Sequence, residues 1–594
     1  MWKLGDIVYS TPTVVGKPME RYNEYYSDYT YGQFLTDATY TGKPWEVKLW
    51  KKRGVTVYVG ANDGMLHAFK AGTFHEGDNP ATGEEEHGWY STDEYPPTTT
   101  EALGDERWAY IPYNLLPHLK WLTDPGYVHV FYVDLKPKVT DVRIFPDDDT
   151  HPNGWGTILI GGMRLGGGEI SLTDDFGGPL GVETRTFRSA YFVLDITDPT
   201  DPLFLGEVSD PNMGFTTSYP AIVRVESTPG FQDPEDDEWY AVVGSGPTAC
   251  DGTSDQNGRI FTYNLDDEGL VQTIQTFESD TLDHTVENDA LMATPITLDL
   301  NLNYNVDTIY IGDTYDNVTS MESKMYRIST RSNNNTAPDA NPWPYKTDPA
   351  TSPWLETTLF SSLSDPLTSN TYITSSAMAS IDDDENIWVY FGTGKYYANA
   401  DQTDTATQYF FGLKDACAYG DCAAADEVLF TNLYESDDIV VLTDKTVIVG
   451  ATTKSWEDFI TEVQLEDGWY LTMGTSGERV LNRPSVLGGV LLFPSFIPDT
   501  DVCSYGGMGK FYALYYETGT AFYNSVIGTE VYGDGFKCLE SMDLGQGMTS
   551  DVGLHVGKKA QASGYIQQST GAIEQVEVAP AFGIKSGIIG WMQY

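Results

Sequence analysis

The chain has 594 residues, with 34 Lys+Arg against 87 Asp+Glu and a formal net charge of −53. Double-stranded nucleic acid and anionic lipid surfaces are bound largely through Lys and Arg, so a chain this acidic is repelled by both. With 40% hydrophobic and 13% aromatic residues it carries ample core. Its longest uncharged apolar stretch, 484–498, is too short and too rich in Pro and Gly to cross a bilayer as a helix, which argues against an integral membrane protein. The sequence opens at Met1-Trp2 with neither a basic n-region nor an apolar h-region, so any secretion signal is expected to have been removed or to lie outside it.

In chain order, YSTPTVV from Tyr9 reads as a first strand, because a Ser/Thr-x-Pro start followed by β-branched residues favours extended backbone. A tyrosine-rich insertion, 16–53, follows. Its Tyr22, Tyr25, Tyr26, Tyr29 and Tyr31 either form a binding surface or pack the insertion onto the fold, and packing is the preferred reading. VTVYVG, ending at Gly60, and MLHAF from Met65 supply a second and a third strand. A second insertion, 71–136, carries the acidic run Glu84-Glu85-Glu86. It also carries a short helix expected over Asn114–Leu122, with Leu115, Leu116, Leu119 and Leu122 on one face, to plug or cap the fold.

The same three-strand pattern then recurs. First strands with the proline start are TSYPAIVRV from Thr217, MATPITLDL from Met292 and LNRPSVLGG from Leu481. Second strands end on glycine at Gly161, Gly244, Gly312 and Gly392. Third strands alternate aromatic and aliphatic residues, as in AYFVLDI from Ala190, RIFTYNL from Arg259, KMYRI from Lys324, QYFFGL from Gln408 and KFYALYY from Lys510. Acid-rich turns at Asp147-Asp148-Asp149, Asp236-Asp237-Glu238 and Asp382-Asp383-Asp384 read as solvated connections. A degenerate last copy occupies 548–580. Small sheets of this kind bury both faces only by stacking radially. The expectation is an all-β chain forming one domain over 1–594, a modified seven-bladed β-propeller with loop insertions and a short capping helix, at about 85 residues per copy.

One turn carries chemistry. Asp299-Leu300-Asn301-Leu302-Asn303-Tyr304-Asn305-Val306-Asp307 places oxygen-bearing side chains at alternate positions of nine residues. Hard cations take six to eight oxygens at about 2.3–2.6 Å, and a tight loop with alternate side chains turned inward supplies them from one segment. The spacing predicts a Ca²⁺ site in which Asp299, Asn301, Asn303 and Asp307 offer side-chain oxygens and Asn305 its backbone carbonyl; an ion-free Asn-rich hairpin turn is the alternative. Only the two end residues are carboxylates, so the expected Kd is weak, on the order of 10⁻⁴–10⁻³ M.

The five cysteines allow bridges at Cys417–Cys422 and Cys503–Cys538, with Cys250 left over, which would suit an oxidising exterior; isolated buried thiols are the alternative. Enzyme signatures are lacking: no His-Glu-x-x-His, no Gly-x-Ser-x-Gly, no phosphate-cradling Gly-x-x-x-x-Gly-Lys and no Cys-x-x-Cys-His. A binding device rather than an enzyme is expected.

Several long segments resemble the C-terminal propeller of the PilC/PilY family of type IV pilus tip-associated adhesins: LGDIVYSTPTVVG from Leu4, VYVGANDGMLHAF from Val57, RWAYIPYNLLPHL from Arg107, YFVLDITDP from Tyr191, WVYFGTGKYY from Trp388 and GERVLNRPSVLGG from Gly477. The resemblance implies a seven-bladed modified propeller with a nine-residue acidic calcium loop. Asp299 and Asp307 match its two ends, and Asn301, Asn303 and Asn305 fall inside it. It also implies a secreted, non-enzymatic protein at the pilus tip or outer cell surface. Such a protein would contact pilins or minor pilins, support pilus assembly and attachment to a surface or host receptor, and oppose retraction when calcium is bound. The sequence departs from many members in lacking the Asp-x-Ser-x-Ser site of a von Willebrand A-like domain and an Arg-Gly-Asp tripeptide. A fragment, a processed form or a short relative is therefore expected. Two rival readings are a calcium-dependent quinoprotein dehydrogenase, whose typical adjacent Cys-Cys pair is missing, and a surface glycan-binding or scaffold propeller using the tyrosine-rich insertion.

Overall fold

The computed structural model describes residues 4–36, 50–82, 88–93, 100–177, 181–226, 237–265, 272–278, 289–316, 321–330, 354–362, 370–418, 427–500, 506–556 and 562–582. Glu84-Glu85-Glu86, Asp236, Cys422 and Cys503 lie outside them. The regular structure among the described residues is mostly antiparallel sheet. The first sheet orders Thr13–Val15, Val55–Gly60 and Leu66–Glu76, with Gly88–Ser91 and Glu106–Tyr110 outermost. The second is built on Lys138–Arg143, Trp155–Gly162, Tyr191–Asp195 and Leu203–Val208, and the third on Ala221–Glu226, Asp237–Gly244, Arg259–Asn264 and Gln272–Glu278. In the fourth, Leu291–Met292 and Ile296–Leu298 flank Thr308–Asp316, followed by Met321–Ser329 and Leu355–Ser361. Later sheets are built around Ile387–Gly392 with Tyr409–Asp415, around Val490–Pro498 with Gly507–Tyr515, and around Ala562–Gln567 with Ile573–Val578.

The sheets bury their faces on one another. Tyr58, Leu66, Leu159 and Phe192 join the first to the second; Ile160, Val193, Val242 and Ile311 join the second, third and fourth. Tyr310, Phe360, Phe391 and Phe411 join the fourth to the fifth, and Trp469, Phe493, Phe511 and Ile566 join the last three. Side-by-side stacking of this kind supplies the apolar neighbours that small sheets lack on their own.

The repeated glycine has a packing cause. A Cβ at Gly60 would collide with Val133, at Gly244 with Met292, at Gly312 with Ile373 and at Gly392 with Val480. In each case the obstacle belongs to the next sheet or to the segment leading into it, so the glycine sits where the neighbouring sheet comes closest. The proline-containing start is tied to the same point: the Gly60 amide donates to Ser10 Oγ at 2.8 Å and the Gly244 amide to Ser218 Oγ at 3.0 Å.

Three expectations need correction. Segment 71–136 is not simply inserted: its first residues continue the strand Leu66–Glu76, and Gly88–Ser91 and Glu106–Tyr110 pair with that strand. The short helix expected over Asn114–Leu122 is present as a 3₁₀ segment, Tyr113–Thr123, containing Pro117, but the four leucines do not share one face. With three residues per turn, Leu115 and His118 share the buried face, while Leu116 and Leu122 point outward at 47% and 40% exposure. Cys417 is disulfide-bonded, but Cys538 is a free buried thiol, so no Cys503–Cys538 bridge forms. The Cys538 Sγ lies 3.3 Å from the Tyr523 carbonyl, and burial pushes the thiol up to about 11. Among the described residues, no helix is long and apolar enough to cross a membrane.

Candidate metal centre

The loop 299–307 connects Ile296–Leu298 to Thr308–Asp316 in the fourth sheet. Its ends are held as ladder backbone: the Asp307 amide donates to the Leu298 carbonyl at 2.8 Å and the Thr330 amide to the Asp307 carbonyl at 3.1 Å. Between them the chain turns through positive φ at Leu302 (55°) and Tyr304 (77°). Residues with side chains rarely adopt that region, and here the loop's own oxygens compensate for it.

Those oxygens turn inward. Asp299 Oδ1 accepts the Asn303 amide at 3.1 Å and Asp299 Oδ2 the Tyr304 amide at 2.8 Å. Asn301 Oδ1 accepts the Asn303 amide at 3.1 Å, Asn303 Oδ1 the Asn305 amide at 3.0 Å, and Asp307 Oδ2 the Leu300 amide at 2.6 Å. Asp299, Asn305 and Asp307 are buried, Asn303 is half-buried and Asn301 is exposed. The fold thus gathers all five sequence-predicted residues around one turn, with the two carboxylates at its closed, buried end.

Two buried carboxylates so close are costly. Burial first, and then the Asp307 charge, push the Asp299 carboxyl up to about 7, against the partial relief of its hydrogen bonds. A divalent cation would offset both causes, and the donor set, carboxylate and amide oxygen throughout, suits a hard ion. Among the described residues, no group of three or more His, Cys, Asp or Glu side chains is gathered to hold a metal; the loop is a candidate through its mixed Asp/Asn set.

The loop's surroundings were not legible from its spacing. Arg224, in the third sheet, accepts the Val306 amide on its carbonyl at 2.9 Å and donates from Nη1 to the Tyr304 carbonyl at 3.0 Å, with its guanidinium 3.8 Å from the Tyr304 ring centre. On the other side lies the tyrosine-rich insertion, folded into two short helices, Tyr22–Tyr25 and Tyr29–Thr36. Asp28 caps the second by accepting the Thr30 and Tyr31 amides at 2.9 and 3.0 Å. Tyr22 and Tyr31 are fully buried against Trp155, with ring centres 5.4 and 5.0 Å away, while Tyr29 is 72% exposed. Tyr26 stacks on Tyr304 at 4.3 Å and 12°. The run of tyrosines was visible in the sequence; that it lies over residues 299–307, distant in the chain, was not.

Comparison with known proteins agrees with this architecture. A family model described as the PilY1 beta-propeller domain matches residues 4–448. The chain belongs to the PilY1 β-propeller family. The type IV pilus biogenesis factor PilY1 of Pseudomonas aeruginosa PAO1 is 24% identical over 541 residues, covering 86% of this chain and 38% of the relative. A PilY1 homolog of Xylella fastidiosa Temecula1 is 24% identical over 521 residues, covering 86% of this chain and 32% of the relative. The chain therefore spans well under half the length of these relatives. The crystal structure of the Pseudomonas aeruginosa PilY1 C-terminal domain superposes with a TM-score of 0.60 at 20% identity, covering 96% of this chain and all of that one, a likeness of fold. The fold class expected from the repeats, an all-β propeller, is that of the PilY1 family.

Proposed function

We propose that this chain is the propeller portion of a type IV pilus biogenesis factor, acting without catalysis at the cell exterior. In this reading it contacts pilins, supports pilus assembly and surface attachment, and uses calcium held by Asp299, Asn301, Asn303, Asn305 and Asp307 to oppose retraction. Membership of the PilY1 β-propeller family and the names of the relatives as biogenesis factors support the pilus assignment. The observation that carries the calcium part is the buried Asp299/Asp307 pair at the closed end of an oxygen-lined loop, with Asp299 pushed up to about 7 by burial and by Asp307.

Calcium supplies positive charge where two carboxylates otherwise repel. The residues of this chain do the rest: the amides of Leu300, Asn303, Tyr304 and Asn305 orient the side-chain oxygens, and Arg224 and Tyr26 fix the loop between the third sheet and the helical insertion. An ion that prefers this arrangement shifts the chain towards it by its differential affinity for the two states. The test is calorimetric titration of calcium into the chain and its Asp307→Ala variant. A binding heat lost in the variant supports the site, and equal heats remove it. The pilus part is tested by piliation in cells carrying Asp307→Ala in the full-length protein; the reading expects fewer extended pili at the same level of expressed protein.

A further inference from the structure

We infer that one end of the propeller axis binds a carboxylated sugar of the hexuronate class, with Lys136, Lys138 and Arg483 holding the carboxylate and Tyr219 the face of the sugar ring. The site is separate from residues 299–307 and needs no cation there.

The proline starts assemble it. In five sheets a strand of the opening edge begins directly after a proline, at Thr13, Lys138, Ala221, Ile296 and Ser485. These edges are the inner ones: Ala221–Glu226 lies beside Ile296–Leu298, and Met378–Ile381 beside Ser485–Leu487, each at the opening edge of its own sheet. A propeller sets such strands around a central channel in one sense. The residues before the five prolines, Thr11, Lys136, Tyr219, Thr294 and Arg483, therefore meet at one end of it. Contacts between neighbouring sheets agree. The Tyr219 amide donates to Thr294 Oγ1 at 3.0 Å, and its hydroxyl donates to the Pro137 carbonyl at 3.3 Å, which Thr13 Oγ1 also reaches at 3.3 Å. Farther round, Arg483 Nη2 lies 3.3 Å from Met378 Sδ, and the Arg483 amide donates to Asp551 Oδ1 at 3.2 Å.

The chemistry at this end runs against that of the chain. Acids outnumber Lys+Arg by 87 to 34, yet the five pre-proline residues hold two cations and no acid, and Lys138 adds a third cation. Lys136 and Lys138, two apart in extended backbone, point to one side, and each ammonium lies 5.9 Å from the Tyr219 ring centre. Among the described residues, neither lysine nor the Arg483 guanidinium forms an ion pair with a carboxylate. Burial pulls the Lys138 amine and the Arg483 guanidinium down, with the Glu20 and Asp551 charges opposing it respectively. Burial also pushes the Tyr219 hydroxyl up, and the Arg483 charge opposes that rise.

Lysine and arginine left together without a counter-charge are answered by an anion, and a guanidinium and two ammonium groups suit a carboxylate. The tyrosine face suits the apolar face of a sugar ring, and the Thr11 and Thr294 hydroxyls can exchange hydrogen bonds with its hydroxyls. Thr11 and Lys136 are exposed, and Tyr219, Thr294 and Arg483 half-buried, so a small solute reaches them all. Beyond a Debye length of about 8 Å the net charge of −53 repels a polyanion, which favours one acidic sugar over an acidic protein segment.

The test is calorimetric titration of galacturonate into the whole chain in calcium-free buffer. Galacturonate should bind about tenfold more tightly than neutral galactose. Lys136→Gln combined with Lys138→Gln, Arg483→Gln and Tyr219→Leu should each weaken it about tenfold at an unchanged denaturant midpoint. Lys136→Arg, which keeps the charge, and Lys120→Gln, which removes a charge elsewhere, should bind like the wild type. No heat with galacturonate, equal affinity for galactose, or undiminished affinity in all three weakened variants would overturn the inference. So would inorganic phosphate or a glutamate-rich peptide binding more tightly than galacturonate, since the axis would then select charge and not a sugar.

Discussion

Replacing Asp299 by asparagine should change how stability depends on pH, by an amount that follows from the loop. In the folded chain, burial and the Asp307 charge push the Asp299 carboxyl from 3.8 up to about 7. The folded state therefore holds this proton more tightly than the unfolded state. The resulting stabilisation is complete below 3.8 and is lost as pH rises to about 7. At about 1.4 kcal/mol per pH unit, that window removes roughly 4 kcal/mol from the cation-free chain. The asparagine side chain has no proton to lose and keeps one acceptor oxygen, for either the Asn303 or the Tyr304 amide; the bond it forfeits is an offset common to every pH. In chelator, the stability of Asp299→Asn relative to wild type should thus climb by roughly 4 kcal/mol between pH 4 and pH 7, read from denaturant midpoints. Taking the difference cancels the acidic residues away from the loop, whose titration dominates a chain of net charge −53; Asp307, relieved of the Asp299 charge, moves with the variant. Calcium at ten times its Kd should return about 1.4 kcal/mol to the wild type alone. A difference that stays flat within about 0.5 kcal/mol across the window would refute the account of burial and repulsion.

Three further outcomes follow from the packing. Gly244→Ala would place a Cβ against Met292, 3.1 Å from Ile311 Cδ1 and 3.2 Å from the Ala293 carbonyl; overpacking should cost about 1–3 kcal/mol in chemical denaturation. Arg327 pairs in the interior with Asp415, Nε to Oδ2 at 2.6 Å and Nη2 to Oδ1 at 2.6 Å, so Arg327→Met should destabilise by about 3–5 kcal/mol through the charge left on Asp415. Glu207 accepts the Tyr113 and Asn114 amides and Asn114 Nδ2, each at 2.8 Å, where the 3₁₀ segment begins. Glu207→Ala should cost about 1 kcal/mol and speed proteolysis at 113–123; an unchanged cleavage rate there would show that the segment is held by other contacts.

The strands were legible because sequence patterns record local needs. Proline starts, glycine ends and alternating apolar residues each answer to one strand or to the neighbour beside it, as Gly244 does to Met292. The helix at 113–123 was located but its face was misread: Leu115, Leu116, Leu119 and Leu122 suit an α-helical period, whereas the backbone around Pro117 takes three residues per turn and buries Leu115 and His118. The outer strands at 88–91 and 106–110 were overlooked because GWYS and ERWAY are short and alternate weakly. At the loop, spacing revealed the oxygen-bearing residues but could carry no trace of Tyr26 or Arg224. Both reach it through tertiary packing from distant parts of the chain, and nothing in a Tyr-rich run specifies which surface it will cover. The cysteines were equally silent: Cys538 follows Cys503 in the chain, yet its thiol faces the Tyr523 carbonyl.

The most direct measurement of the central claim is anomalous diffraction from crystals grown in calcium and back-soaked with terbium. The account predicts one strong peak at 299–307, at about 2.3–2.6 Å from carboxylate oxygens of both Asp299 and Asp307 and missing in Asp307→Ala. A loop without a peak at saturating ion, its carboxylates still bonded only to their own amides, would contradict it.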